Sequence, residues 1–253
     1  MFVKYPCKPS HTTQYILEIC LLTILFCIIS LSSGCSYYNR LLTLKDHLYN
    51  PDKYIELHDG KQYSLVFKNP VMLKDDIYKL TGIQPASRMK KGDISCWKYI
   101  ASLLNSTGII QSEKYNVSAK AFFHDSKLKS ILLPRQLSRA ISRNLIWKIL
   151  CTIKNGNINI FRKTFILNFK ISNLPKGEIL PSIHKVIQLS GPPTIKVDDY
   201  HIIYKHRPHE KNVLIGNKNT LVEYWFTKND KLLKKAVASG NGFRGVIQFI
   251  SKE

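Results

Sequence analysis

The side chains best suited to chemistry in this chain are its histidines and its adjacent carboxylates. Four histidines lie close together in the sequence: His184, His201, His206 and His209. Imidazole binds zinc, but a three-residue spacing across a proline does not place His206 and His209 on one helix face. We therefore expect His206 and His209 to be solvated loop histidines, and no metal site. We expect the pairs Asp75-Asp76 and Asp198-Asp199 to cap helices or face solvent rather than to exchange protons.

Motifs of common enzyme classes give no support for catalysis. The sequence contains no G-x-S-x-G nucleophile elbow, no H-E-x-x-H zinc motif and no G-x-x-x-x-G-K-[ST] phosphate loop. The segment 240–245 is rich in glycine, but it lies near the C-terminus without a Lys-Ser/Thr pair, which indicates a turn. The prediction is a protein that is not an enzyme and has no cofactor or small-molecule substrate.

Cys35 stands at a boundary that suggests a different kind of chemistry. Residues 19–31 form an apolar run of thirteen residues without charge, after a start that contains Lys4 and Lys8. Such a run is too short to span a bilayer and suits the hydrophobic region of a signal peptide. The segment Leu31-Ser-Ser-Gly-Cys35 resembles the processing site of bacterial lipoproteins, although Ser32 stands where that family usually has Leu. The resemblance implies that residues 1–34 are removed and that Cys35 receives acyl chains such as palmitate.

The same resemblance implies where the protein lies. Lipoproteins held in the inner membrane of enteric bacteria have Asp after the lipidated Cys, whereas this chain has Ser36. We therefore expect a lipid anchor in the cell outer membrane, with the chain facing the periplasm. The alternative is an uncleaved anchor over residues 15–33 in the inner membrane, against which Glu18 argues. No second long apolar run follows Cys35, so the expected membrane contact is the lipid anchor.

The strongly basic composition allows two interpretations. The formal net charge is +21, and loss of residues 1–34 would leave +20. Behind an export signal, nucleic acid is not an available partner, so anionic lipid, lipopolysaccharide phosphates or an acidic protein face would be the candidates. The alternative is a compositional bias, because the lysines are scattered among many Ile, Asn and Tyr residues. Cys96 and Cys151 remain after processing and fit either a disulfide or two buried thiols.

An internal repeat with an offset near 105–110 residues organises the rest of the chain. Each copy has a strand, a proline-containing break, a short helix, a glycine turn, an aromatic strand and an aromatic hairpin. The pattern predicts the following elements: strands at 63–68, 95–100, 165–170 and 200–205, an aromatic strand with a tight polar turn at 121–128 and at 224–232, and helices at 73–80 and 182–189. The turns that end the helices contain Gly82, Pro85, Gly191 and Pro193, where glycine supplies a positive φ and proline prevents helix continuation.

The order of helix, Gly-Pro turn and aromatic strand resembles the outer-membrane lipoproteins of the SmpA/OmlA type, which assist the assembly of β-barrel proteins. Residues 182–204 show this resemblance better than residues 77–99 do. Tandem use of the fold is known in secreted β-lactamase inhibitor proteins. The chain departs from the single-domain lipoproteins by its duplication and by a basic segment at 135–150, predicted to be one amphipathic helix that packs on the sheet or lies on a membrane. Chance similarity of two unrelated α+β segments is the alternative to a repeat.

The sequence thus predicts an α+β fold of two similar halves, each a short helix packed on a small antiparallel sheet. The predicted domains are a signal peptide at 1–34, a linker at 35–52, a first repeat with the basic helix at 53–150, and a second repeat at 155–253. The predicted function is protein–protein interaction in the cell envelope, in outer-membrane assembly or integrity. The alternative function is a periplasmic binder of anionic lipid or glycan.

Overall fold

The structure is a computed structural model that describes residues 36–153, 157–159, 164–172, 174, 177–209, 219–240 and 243–250. Residues 1–35, including the predicted signal peptide and Cys35, therefore lie outside the described residues. The chain divides into two compact units, residues 1–41 and residues 42–253. In the described part of the chain, none of the helices combines the length and the apolar character needed to cross a membrane.

The described residues contain six α-helices, and most of them are short. They are α1 (36–49), α2 (Pro51–Tyr54), α3 (Lys74–Thr81), α4 (Arg135–Ala140), α5 (Arg143–Cys151) and α6 (Ile183–Ser190), with a 3-10 turn at Glu113–Tyr115. Residues 36–49, which the sequence assigned to a linker, are thus helical. The helices predicted at 73–80 and 182–189 correspond to α3 and α6.

The described residues contain thirteen strands. In chain order they are β1 (Ile55–His58), β2 (Ser64–Phe67), β3 (Ser87–Lys91), β4 (Ile94–Leu104), β5 (Val117–His124), β6 (Lys127–Leu132), β7 (Asn157–Asn159), β8 (Thr164–Ile171), β9 (Ile195–Lys196), β10 (His201–Pro208), β11 (Thr220–Phe226), β12 (Leu233–Gly240) and β13 (Phe243–Phe249). Each strand predicted from alternation and aromatic content is present among them.

The predicted architecture of two helix-on-sheet halves is wrong. All thirteen strands belong to one sheet, with the order β1-β2-β6-β5-β4-β10-β11-β12-β13-β8-β7, while β3 pairs with β4 and β9 pairs with β10. The sheet is mixed rather than antiparallel, because β13 and β8 pair in parallel over seven residue positions. The protein is therefore built mainly on a single large sheet.

The sheet is continuous because β4 and β10, one from each predicted half, pair with each other. Their antiparallel register runs from Leu104 opposite Lys205 to Ala101 opposite Pro208. The buried Thr194 supports this seam, since its hydroxyl donates to the carbonyl of Leu104 at 2.6 Å and accepts from the backbone N–H of Lys205 at 2.9 Å. Neither half therefore ends its sheet at this point.

The hydrophobic core also crosses the seam. Leu103 of β4 belongs to the same buried cluster as Tyr204 of β10, and Leu145 of α5 lies in that cluster with no exposed surface. The next residue of α5, Ile146, belongs to a second cluster with Leu57 and Tyr63 of the first predicted half. Because α5 buries one residue in each cluster, it packs against both parts of the sheet and stabilises their association.

The element order recurs within this single sheet. The series β2-α3-β3-β4-β5-β6 is followed by β8-α6-β9-β10-β11-β12, and in each series the short strand after the helix pairs with the strand that follows it. The second series differs because β13 lies between β12 and β8, whereas β6 and β2 pair directly. The recurrence therefore concerns local element order and not separate domains.

The predicted basic helix over 135–150 is also wrong, because the segment forms two helices. Ile141 has extended backbone angles, φ −134° and ψ 137°, and ends α4. Ser142 then begins α5 as its N-cap, with its hydroxyl accepting a hydrogen bond from the backbone N–H of Leu145 at 3.1 Å. A serine at this position satisfies one of the free amides at a helix start, which favours a new helix over continuation.

Candidate functional site

The two glycines predicted to end helices both have positive φ, but in different regions. Gly82 ends α3 with φ 64° and ψ 13°, the left-handed conformation. Gly191 ends α6 with φ 89° and ψ −177°, a region that is essentially restricted to glycine. A Cβ on Gly191 would lie 2.6 Å from the ring of Tyr115, and the hydroxyl of Tyr204 donates to the Gly191 carbonyl at 2.9 Å. This turn is therefore tightly packed.

The four predicted turn residues are placed apart and form no common site. Pro85 is buried in the segment that leads to β3, and Pro193 is half-buried in the segment that leads to β9. Gly82 and Gly191 lie at the ends of two different helices. Their role in the structure is to stop the helices and to direct the chain into the next strand.

The prediction of a solvated loop histidine is wrong for His206, which lies in β10. His201 and His206 lie in β10, whereas His184 on α6 and His209 after β10 are exposed. His206 is 7% exposed, its Nδ1 has no hydrogen-bond partner in the described residues, and burial lowers its pKa to about 4. A search of the described residues finds no group of three metal-ligating side chains.

Three of the aspartates considered for chemistry stabilise the local structure instead. Asp76 is buried and caps α3, since its carboxylate accepts from the backbone N–H of Leu73 at 2.9 Å. Asp198 accepts from the backbone N–H of Tyr200 at 2.6 Å, and Asp199 pairs with Lys196 at 2.6 Å. These carboxylates stabilise a helix start and a turn.

The two described cysteines and the glycine-rich segment also have structural roles. Cys96 is buried in β4, Cys151 ends α5, and these two described cysteines form no disulfide. The glycine-rich segment 240–245 has G-x-G-x-x-G spacing, but it joins the antiparallel strands β12 and β13. A dinucleotide-binding loop requires a strand before it and a helix after it, so this segment lacks the context for that chemistry.

Strands β10 to β13 and β8 present two faces of different composition. In β10, Ile202, Tyr204 and His206 are buried and alternate with less buried residues. Ile202 and Tyr204 belong to the core cluster that includes residues of α5 and α6. We call the side on which these helices pack the covered face, and the opposite side of the same strands the open face. Successive residues of a strand alternate between the two faces.

Cross-strand register defines the open face of these five strands as three rows of five residues, which we call the open patch. The first row is His201, Trp225, Lys235, Gln248 and Lys170; the middle row is Ile203, Glu223, Val237, Val246 and Asn168; the third row is Lys205, Leu221, Ser239, Arg244 and Ile166. Five strands span about 19 Å and three rows about 13 Å. The open patch is therefore large enough to be part of a protein interface.

The cations of the open patch lie in its outer rows, and most of its middle row is aliphatic. Three of the five middle-row residues are aliphatic, whereas all four cations, Lys170, Lys205, Lys235 and Arg244, lie in the outer rows. Val237 at the centre is 5% exposed, and Ile166 at a corner is 44% exposed. An apolar centre with a polar rim is the usual composition of a protein–protein interface.

Trp225 is the largest side chain of the open patch and is held on both sides. The imidazole of His201 stacks on its indole with 4.4 Å between ring centroids and 17° between planes. The ammonium of Lys235 lies 4.7 Å from the Trp225 ring on the neighbouring strand. Glu223 lies 3.3 Å from His201 and is the only carboxylate among the fifteen residues. The indole is thus positioned before any partner binds.

The corresponding face of the first part of the sheet is also basic. Lys98 of β4 and Lys120 of β5 lie directly opposite each other, with Cys96 and Phe122 as the next pair on the same side. Like charges at directly opposite positions destabilise a sheet. Met89 of β3, opposite Cys96, is 60% exposed. This face combines an unfavourable cation pair with exposed apolar surface.

Sequence reasoning identified β8, β10 and β11, but not β12, β13 or the open patch itself. Segment 224–226 was recognised as aromatic, and the alternation in β10 and β11 was sufficient to separate Trp225 from Tyr224 and Phe226. Grouping Trp225 with Lys235, Gln248 and Lys170 needs the register between four strands, which a single sequence does not specify.

No protein family matches this sequence, and neither a curated protein nor a solved structure matches the chain.

Proposed function

We propose that this chain is a non-enzymatic lipoprotein of the cell envelope that acts by binding another protein through the open patch. The observation that supports the proposal most is the pre-positioned Trp225, flanked by His201 and Lys235 and adjacent to the aliphatic middle row. Tryptophan is enriched among the residues that dominate binding energy at interfaces. A rigid aromatic side chain loses little conformational freedom on binding, which favours affinity.

The proposed anchor is the thiol of Cys35, acylated after removal of residues 1–34. Support comes from the sequence alone, namely the uncharged run at 19–31 followed by Ser-Ser-Gly-Cys. Two or three acyl chains hold a protein firmly on a membrane, whereas one chain binds only marginally. Ser36 after the Cys favours the outer membrane, where the open patch would face the periplasm.

Labelling with radioactive palmitate tests the anchor. Wild-type protein should incorporate the label and Cys35→Ala should not. Equal labelling of both proteins, or no label in the wild type, would contradict lipidation at Cys35. The Cys7→Ala variant is a matched control, because Cys7 precedes the apolar run and its loss should leave labelling unchanged.

A role in outer-membrane assembly or integrity is the finer form of the proposal. It is supported by the resemblance of segment 182–204 to lipoproteins that assist β-barrel assembly. Crosslinking in intact cells, followed by identification of the partner, tests this role. Recovery of barrel-assembly components with the wild type and their loss with Trp225→Ala would support it. Tyr78→Ala on α3 is the control, because Tyr78 is an exposed aromatic residue outside the open patch.

A periplasmic binder of anionic lipid or glycan is the second candidate function. The direct opposition of Lys98 and Lys120 favours it, because a phosphate bound between the two ammonium groups would relieve their repulsion. The dependence of affinity on salt concentration distinguishes the two candidates. Binding to phosphate groups should weaken log-linearly with ionic strength, whereas binding through an apolar centre should retain most of its affinity. Crosslinks to lipid A or peptidoglycan alone would favour this second candidate.

A further inference from the structure

We infer that the open patch binds an acidic face of a different protein; this inference rests on the proposed function. The four cations of the patch lie on both sides of the aliphatic middle row: Lys235 and Lys170 in the first row, Lys205 and Arg244 in the third. A complementary partner would present an apolar strip bordered by carboxylates on both sides. Such charge complementarity fixes the partner's orientation and excludes basic competitors.

Within the described residues, no carboxylate of the protein pairs with these cations. No salt bridge of the described residues includes Lys170, Lys205, Lys235 or Arg244. Glu223, the single carboxylate of the patch, lies against His201. A partner that covered the patch without supplying carboxylates would desolvate four cations with no compensation. The bound face must therefore be acidic.

The residues outside the described ranges do not provide such a face. Residues outside the described ranges include only three carboxylates, Glu18, Glu210 and Glu253, against nine Lys or Arg residues. A second copy of the chain, docked through the same patch, would place the cations of one copy against those of the other, which is repulsive. The occupant is therefore a different molecule.

A protein fits the open patch better than a membrane surface does. Trp225 lies between His201 and Lys235, with the His201 ring nearly parallel to it, and does not stand alone as a projecting wedge. Val237 in the middle row is 5% exposed and offers little side chain for insertion. Binding to a membrane interface depends on apolar side chains that enter the headgroup region, whereas a flat apolar centre suits a flat protein face.

Photo-crosslinking from within the patch tests the inference. Full-length protein with p-benzoylphenylalanine in place of Leu221, which lies between Lys205 and Ser239, is irradiated in the cells that produce it. The crosslinked peptide is then identified by mass spectrometry. We expect one partner whose crosslinked surface is rich in Asp and Glu.

Charge reversal then measures the contribution of the cations. Lys205→Glu with Arg244→Glu should lower the adduct yield at least about tenfold, because attraction becomes repulsion. The control, Arg139→Glu with Lys185→Glu, makes the same change in net charge at exposed positions of α4 and α6 and should change the yield less than about twofold. Lys205→Gln with Arg244→Gln should give an intermediate yield, and thermal melts of all variants establish that they are folded.

The outcomes separate the inference from the proposed function. An adduct to a neutral or basic protein face, or a yield that charge reversal leaves unchanged, overturns the inference and leaves protein binding intact. An adduct to lipid or glycan only, also reproduced by phosphatidylglycerol vesicles in vitro, overturns both and favours the second candidate. An adduct whose yield does not depend on Trp225, tested with Trp225→Ala, removes the proposed binding surface.

Discussion

The covered and open faces of strands β10 to β13 and β8 are built from alternate residues of the same strands, yet they differ in composition. The covered face contributes Tyr204, Phe226 and Leu233 to the core, each at most 4% exposed. The open face has four cations and one carboxylate around an aliphatic row with Trp225 beside it. Under the proposed function, the covered face serves stability and the open face serves contact with a partner. Substitutions on the covered face should therefore mainly change stability, and substitutions on the open face should mainly change binding.

The largest expected difference between the faces concerns Phe122 and Phe123, which are adjacent in β5 and point to opposite sides. Phe123 has no exposed surface and lies 5.0 Å from the ring of Trp97. Phe123→Ala should lower the free energy of unfolding by about 3–5 kcal/mol, because it leaves a cavity in the core. Phe122→Ala on the open side should cost less than about 1.5 kcal/mol. Urea unfolding measures both, and equal losses would contradict the assignment of faces.

Gly191 provides the next test, because it fixes the end of α6 on the covered face. Gly191→Ala should cost about 3 kcal/mol, since it adds both backbone strain and a close contact with Tyr115. Gly82→Ala should cost about 1 kcal/mol, and Gly82→Asn less, because Asn tolerates the left-handed region. At Gly191, where ψ is −177°, Asn should give no such relief. Thermal melts showing the same order of variants at both sites would contradict this account of Gly191.

Because His206 is buried on the covered face, we predict that the stability of the protein depends on pH. Burial lowers its pKa from an ordinary 6.5 to about 4, so between these values the unfolded chain binds a proton that the folded chain does not. The part of the free energy of unfolding that depends on a neutral His206 is present in full above pH 6.5. It is lost as the pH falls toward 4, by about 3 kcal/mol in total. Unfolding measured from pH 7 to 4 should show this loss in the wild type and not in His206→Phe.

The control for that experiment lies in the same strand. His201→Phe on the open face should retain the pH dependence of the wild type, because His206 remains buried beside Leu103 at the seam. A pH dependence that is unchanged in His206→Phe, or lost in His201→Phe, would remove His206 from this role.

The smallest predicted effect is a gain in stability on the open side. Lys120→Glu replaces the opposed pair Lys98–Lys120 by an ion pair and should raise the free energy of unfolding by about 0.5 kcal/mol. Lys129→Glu in β6, which is exposed and has no register partner in β5, is the control and should change stability less. A loss of stability in Lys120→Glu would show that the two lysines do not repel each other.

Local elements were predictable from the sequence, whereas their assembly was not. The helix end at Gly82 follows from glycine chemistry, and the β5–β6 turn follows from Asp125 and Ser126, which have φ of 48° and 64°. The single sheet depends on the pairing of Leu104 with Lys205, a contact between residues about a hundred positions apart that leaves no local pattern. The break at Ser142 was not predicted, because the apolar spacing on both sides of it fits one continuous helix.

The same limit applies to the open patch. Alternation within β11 assigns Trp225 and Tyr224 to opposite faces, but the lateral neighbours of Trp225 come from β10 and β12. A shift of one residue in the β11–β12 register could place Ala236 instead of Lys235 beside the indole, and Lys235 would then lie on the other face. Residue types at single positions therefore suggested a basic protein without showing where the charge is concentrated.

Lysine footprinting tests the central claim, that the open patch is the contact surface, without any substitution. Full-length protein is acetylated in intact envelopes and, separately, after extraction and purification. The account predicts that Lys170, Lys205 and Lys235 react at least about threefold more slowly in the envelope, while the exposed Lys185 on α6 reacts equally in both. Equal reactivity of the three patch lysines in both preparations, or selective protection of Lys185, would contradict it.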